Sequence, residues 1–159
     1  MSKDHDAIDE RALHERRKRV IGRLFMRAAR AFEERAVERI RDLGYEDYRT
    51  GDNLVLIHLD TRGNRISELA QRAGVTKQAI SKAVRDLEKR GLVTKEQDPD
   101  DGRAQIVKLT AEGFDMMVDA FDVVFALDDE FAGHLPENEL ERMREGMLAL
   151  LEKLDPDGF

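Results

Sequence analysis

Apolar residues recur along this chain first at helical spacing, then at strand spacing, then at helical spacing again. From Glu10 to Leu43 there is no proline, and Leu13, Val20, Leu24, Ala28, Phe32, Val37 and Ile40 follow one face. That pattern predicts a single long helix, longer than one domain usually needs, so part of it is expected to pack outside its own domain. Gly44 ends it, and Tyr45 to Gly51 reads as a loop in which Tyr48 and Arg49 lead into the next element. Leu54, Val55, Leu56, Ile57 and Leu59 are apolar nearly all round a short helix from Asp52 to Thr61. Such a helix is expected to be buried as a spine.

The segment that follows is the most informative. Arg62 to Asn64 forms a turn around Gly63, Arg65 and Ile66 fit a short strand, and Ser67 stands where a helix Glu68 to Ala73 needs an N-cap. Leu69 and Ala70 face inward, and Gly74 supplies the left-handed residue that stops the helix. Thr76 caps a second helix, in which Ile80, Val84 and Leu87 repeat at i, i+4, i+7 and bury one side. The opposite side carries Lys77, Gln78, Ser81, Lys82 and Arg85, all hydrogen-bond donors with no apolar interruption. A helix lying in the major groove of duplex DNA needs this combination: side chains that bond base edges, flanked by cations for phosphate.

Gly91 stops that helix, and the period changes to two. Leu92 to Gln97 and Gln105 to Leu109 alternate apolar and polar residues, with Val93, Ile106 and Leu109 as inward candidates, around a tip of Asp98, Pro99, Asp100, Asp101, Gly102 and Arg103. This is a two-stranded wing. Its three carboxylates repel phosphate unless Asp98 or Asp101 orients the Arg103 guanidinium, which suits a narrow A·T minor groove. Thr110 caps a further helix, with Phe114, Met117, Val118, Phe121, Val124 or Phe125, and Phe131 as its apolar stripe to about Ala132. Pro136 opens a last helix whose Leu140, Met143, Met147, Leu150 and Leu154 step by three and four.

Composition changes this picture in three ways. The 159 residues are about one domain's worth, and the 38% of charged residues favours long solvated helices. The absence of cysteine excludes disulfides, thiolate metal sites and thiol redox sensing. The net charge of −7 argues against nucleic acid until its distribution is read: Arg62 to Thr110 holds 11 Lys and Arg against 7 Asp and Glu. A local excess of four positive charges thus sits on the helix pair and wing, inside an acidic chain that would keep DNA from its other faces. The cluster Arg16, Arg17, Lys18, Arg19 reads as a solvated helix face rather than a second DNA contact, with Glu10 and Glu15 within helical reach. His58 interrupts the spine and reads as a hydrogen-bonded core histidine, since His5, His14 and His134 lack metal-ligand spacing to it. No apolar run reaches the ~20 residues of a membrane span and no signal-peptide pattern opens the chain, so no membrane and a cytoplasmic location are expected. Enzyme signatures are absent from the sequence: no Gly-x-Ser-x-Gly, no His-Glu-x-x-His, no phosphate-cradling glycine loop.

The order Ser67-Glu68-Leu69-Ala70, Gly74-Val75-Thr76-Lys77, Leu87-Glu88-Lys89-Arg90-Gly91-Leu92-Val93, Asp98-Pro99-Asp100-Asp101-Gly102-Arg103-Ala104 and Leu109-Thr110-Ala111-Glu112-Gly113 closely resembles the multiple-antibiotic-resistance regulator (MarR) family. The match is dense from Leu54 to Gly113 and looser outside. The resemblance implies a mainly α fold with a small β-wing, that is, a winged helix-turn-helix (47–110) between N-terminal (1–46) and C-terminal (111–159) dimerisation helices. It implies a homodimer on a pseudo-palindromic duplex operator, usually a repressor released by a small-molecule effector, with no cofactor and no metal. Position by position, Thr76, Lys77, Gln78, Ser81, Lys82 and Arg85 would read or flank the major groove. Arg103 would enter the minor groove, with Asp98 and Asp101 as wing support and Asp101 its partner. Asp100 stands where the family's fuller wing often has another Arg. A small anionic or phenolic effector would sit between the lobe and the dimer helices, where Tyr48, Arg49 and His58 are candidates. A winged-helix module for protein partners is the alternative, and an acidic exposed face on the second helix would have favoured it.

Overall fold

The computed structural model describes residues 10–102 and 104–155. The chain divides into two units, Met1–Arg35 and Ala36–Phe159, and each is taken by itself.

In the first unit, α1 (Glu10–Lys18) is followed by the start of α2 (Ile21–Asp42). The uninterrupted helix expected from Glu10 to Leu43 is therefore broken at Arg19 and Val20, where the Arg19 N–H bonds back only three residues to Arg16. The basic run explains the position. Four consecutive cations favour the negative end of a helix dipole and repel one another within a continuing one. Val20 and Leu24, on the apolar face, are 50% and 46% exposed.

The second unit carries the rest of α2, in which Ala36, Val37 and Ile40 are buried. A 3-10 turn (Thr50–Asp52) leads into α3 (Asn53–Leu56), and β1 (Asn64–Arg65) leads into α4 (Ile66–Arg72). Then come α5 (Lys77–Lys89), β2 (Val93–Gln97), β3 (Gln105–Leu109), α6 (Ala111–Ala132) and α7 (Glu139–Leu154). The sheet is antiparallel in the order β1-β3-β2, with Val93 opposite Leu109, Lys95 opposite Val107 and Asn64 opposite Val107. The two-stranded wing of the sequence reading therefore gains β1 as a third strand.

The spine is shorter than the apolar run suggests. Val55, Leu56 and Leu59 are buried, but Ile57 is 68% exposed. The helix stops at Leu56, and beyond it the Asp60 N–H donates to Asn64 Oδ1 (2.7 Å) and Asn64 Nδ2 donates to Asp60 Oδ2 (2.8 Å). These reciprocal side-chain bonds give the backbone an alternative to continuing the helix. In the same way α4 starts before Ser67, because the Glu68 carboxylate accepts the Arg65 N–H (3.0 Å) and Arg65 takes the cap position. The last helix starts at Glu139, after Asn138 in a left-handed conformation, rather than at Pro136.

One expectation about a face is also corrected. Ile106 and Leu109 are three apart and cannot share one face of a strand. Val107 takes the inner position at 0% exposure, while Ile106 lies on the other face, half-buried. On α6 the buried line is Gly113, Met116, Val123 and Leu127. Phe114, Val118, Phe121 and Phe125 of the apolar stripe lie on the opposite side of the helix and are exposed.

The junction of α5, wing and α6 is the tightest point. The Thr110 hydroxyl donates to the Gly91 carbonyl (2.6 Å) and accepts from the Gly113 N–H (3.0 Å), while the Thr110 N–H donates to the Leu92 carbonyl (3.1 Å). A Cβ on Gly113 would lie 1.9 Å from the Leu92 carbonyl oxygen. Gly113→Ala is expected to push α6 off the wing base and to cost about 1–3 kcal/mol or more, as overpacking does. Urea unfolding reads this directly, and an unchanged midpoint would show that the close approach is not required.

Candidate nucleic-acid interface

The helix-turn-helix is assembled from α4, the turn at Gly74 and α5. Gly74 sits at φ +62°, a backbone that side-chain-bearing residues rarely adopt, and turns the chain directly from one helix into the next. Thr76 then caps α5, its hydroxyl accepting from the Ala79 N–H (3.2 Å). Ile80, Val84 and Leu87 are 0%, 1% and 0% exposed, so one edge of α5 is fully withdrawn from water. Burying such side chains is worth about 1.5–3 kcal/mol each, which fixes the roll of the helix. The outer edge follows from it. Lys77, Gln78, Lys82 and Arg85 are exposed and Ser81 is half-buried, all on the side away from the core.

The charges around this edge are unequal in kind. Arg65 pairs with Asp98, Arg72 with Asp60, Arg90 with Asp52, Lys95 with Glu88 and Lys108 with Glu96. Lys77, Lys82 and Arg85 pair with no described acid; the ion pair within α5 is Lys89 to Asp86, at 3.9 Å. The local positive excess read from the sequence is thus available on the outer face of α5, while these five neighbouring cations are neutralised.

At the wing, Arg103 lies outside the described residues, so its place relative to Asp98 and Asp101 is not part of the structure. Asp98 holds Arg65 and the backbone of the tip. Arg65 Nε donates to Asp98 Oδ2 (2.5 Å), and Asp98 Oδ1 accepts the Asp100 N–H (2.8 Å). The Asp98 N–H donates to the Ala104 carbonyl (3.0 Å) and the Ala104 N–H to the Asp101 carbonyl (2.8 Å), closing the tip. The Arg65 guanidinium, helped by the Asp100 N–H, holds the Asp98 carboxyl below its usual range. Nothing in the sequence marks this latch, because its partners are 33 residues apart.

Tyr48, Arg49 and His58 are not brought together. Tyr48 is buried, donates its hydroxyl to Asn53 Oδ1 and accepts from Arg41 Nε at its carbonyl (2.8 Å). It lines a crevice of about 390 Å³ with Tyr45 and Met116, whereas Arg49 lines another of about 510 Å³ beside α5, with Asp52, Lys82 and Arg90. His58 is half-buried, and burial together with Arg72 pushes its imidazole pKa down. A further crevice of about 520 Å³ lies between the spine and α6, lined by Leu56, Ile57, Asp60, Met117 and Phe121. Across the lobe edge, the Tyr45 hydroxyl donates to Asp119 (2.5 Å), which pushes its pKa up to about 12 and keeps the phenol protonated. Among the described residues no helix is long and apolar enough to cross a membrane.

These elements define a winged helix-turn-helix protein with additional long helices. Residues 54–104 match the sequence model of the MarR family. The transcriptional regulator HosA of Escherichia coli O111:H- is 38% identical over 73 residues, 46% of this chain, and the chain spans 54% of that relative's length. CouR from Rhodococcus jostii RHA1, solved bound to p-coumaroyl-CoA, is 25% identical with a TM-score of 0.70, covering 87% of this chain and 94% of CouR. The Staphylococcus aureus MepR–DNA complex shares the fold, with a TM-score of 0.66, 19% identity and coverage of 82% and 95%. The segment from 54 to 104 is thus similar in sequence to the MarR family, and the chain shares the fold of solved MarR-family transcriptional regulators.

The latch at the wing gives a pH prediction. Because the folded pKa of Asp98 is depressed, its contribution is complete above about pH 4 and is lost as pH falls through the folded value. The Asp100 amide, bonded to this carboxylate, should titrate by NMR with a midpoint below that of an ordinary aspartate, and Arg65→Ala should move that midpoint up. A midpoint unmoved by the substitution would remove Arg65 as the cause.

Proposed function

We propose that the protein is a sequence-specific, double-stranded-DNA-binding transcriptional regulator, a homodimeric repressor released by a small-molecule effector. The observation that carries this reading is the contrast on the lobe: among the described residues Lys77, Lys82 and Arg85 have no acidic partner on the outer edge of α5, beside Gln78 and Ser81, while neighbouring cations are paired with acids. Lys82 and Arg85 would neutralise phosphates, Gln78 and Ser81 would bond base edges, and Thr76 and Lys77 would meet the backbone near the helix start. Arg103 would reach the minor groove from the wing, supported by Asp98 and Asp101.

Pairing of two copies is supported by apolar surface that the chain leaves uncovered. Phe114, Val118, Phe121 and Phe125 on α6 are joined by Met143, Met147, Leu150 and Leu154 on α7, all at least 41% exposed. Two lobes paired in this way would read half-sites about one helical turn apart on a pseudo-palindromic operator. For the effector, a small anionic or phenolic molecule, the crevice between the spine and α6 offers a place that joins the lobe to the helices expected to pair. The presence of p-coumaroyl-CoA in CouR supports the class. Location in the cytoplasm follows from this role.

Binding should weaken steeply with salt, and Lys82→Ala should reduce the log–log salt slope by about one. Arg85→Ala should weaken binding with little change in thermal midpoint. No sequence-preferring binding to duplex DNA at low salt would instead point to a winged-helix module for protein partners. Because Leu150 is already exposed in the single chain, Leu150→Asp should leave the fold intact and convert a dimer to a monomer by sedimentation. An unchanged mass would sink the proposed interface.

A further inference from the structure

Arg90 caps the C-terminal end of α5, and all three of its guanidinium nitrogens are engaged. Nη2 and Nη1 donate to the two oxygens of Asp52 (2.5 and 2.9 Å), Nη1 also to the Asp47 carbonyl (3.0 Å) and Nε to the Asp86 carbonyl (3.2 Å). The Asp52 side chain is 6% exposed and that of Arg90 21%. Asp52 Oδ2 also accepts the Arg49 N–H (2.9 Å), and the same loop is held to the end of α2 through Arg41 Nε and the Tyr48 carbonyl. Four of the five guanidinium N–H groups of Arg90 are thus committed within the lobe, unlike those of Lys82 and Arg85 on the outer face.

The apolar edge of α5 sets how deep the helix sits and how it is rolled. It does not strongly fix position along the axis, because apolar contact has no direction. A two-pronged guanidinium–carboxylate pair does have direction: both distances are satisfied at only one register of the helix against the loop. The end of α5 is thus pinned at one point to the Thr50–Asp52 turn, which runs straight into α3 beneath it.

We propose that Arg90 and Asp52 are positioning residues for base reading, fixing the axial register of α5 and so the discrimination between operator and other DNA without supplying charge to phosphates. This rests on the DNA-binding reading above.

The test begins with duplexes selected by the wild-type protein from a random-sequence pool. Affinity is then compared for a selected and a scrambled duplex of equal length, across salt, for Arg90→Lys, Arg90→Gln and Asp52→Asn. The expected result is loss of about tenfold or more in preference for the selected duplex, the order of one misread base pair. Affinity for the scrambled duplex and the salt slope should stay at the wild-type values. Arg90→Lys is decisive because it keeps the charge and loses the fork. Full preference in Arg90→Lys, or an equal loss on both duplexes with a slope reduced by about one, would overturn the proposal while leaving the regulator reading intact. Leu127→Ala, a buried change on α6, supplies a destabilised comparison. If it loses as much preference at a similar thermal midpoint, Arg90 and Asp52 are merely structural. If wild type enriches no sequence, the regulator reading fails and this inference with it.

Discussion

The depth and roll of the candidate interface depend on the burial of one edge of α5. Ile80, Val84 and Leu87 are almost completely removed from water, and α3, α4 and β2 are the elements packed against that helix. Once that edge is fixed, the helical period leaves Lys77, Gln78, Lys82 and Arg85 no orientation except outward. The wing is tied to the same point, because Thr110 bonds Gly91 and Leu92 at the end of α5 while its own helix starts. α5, the wing and α6 therefore meet at one junction, where a Cβ on Gly113 would have no room against the Leu92 carbonyl.

Electrostatics refine what packing permits. An acidic chain can present a basic surface only where its cations are left without partners. In this lobe acids are spent on Arg65, Arg72, Arg90, Lys95 and Lys108, and the outer face of α5 is spared. Exposed pairs among these contribute little to stability. The Asp98 and Asp52 pairs differ because their carboxylates are almost wholly buried, so removing either arginine would leave a charge without its counterion.

Much of this was legible in the sequence for physical reasons. The α4-turn-α5 unit is local: Gly74, the Thr76 cap and the Ile80–Val84–Leu87 line each act within a few residues, so pattern determines structure. The failures have equally specific causes. The α1–α2 break follows from a cluster of like charges that apolar periodicity ignores. The spine ends at Leu56, and Asp60 and Asn64 bond each other beyond it, a contact invisible to hydropathy. Ile106 and Leu109 violate strand parity, which a stricter count would have caught. Arg65–Asp98 and Arg90–Asp52 join residues 33 and 38 apart and had no local signal.

The most instructive element is α6. It carries two apolar lines, Met116, Val123 and Leu127 on one side and Phe114, Val118, Phe121 and Phe125 on the other. Periodicity marks an apolar line and cannot say whether it is covered within the chain; the aromatic line is the exposed one. A helix apolar on both sides is a helix that expects two partners. One is the lobe, seated through Gly113 and Met116. If the other is a second copy, α6 is the single element that touches both the recognition unit and its pair. Phe121 then has a double position, on the outer stripe and in the wall of the crevice beside Leu56 and Ile57. A molecule filling that crevice would press on the pairing face and the spine at once, and the spacing of two recognition helices would have to respond.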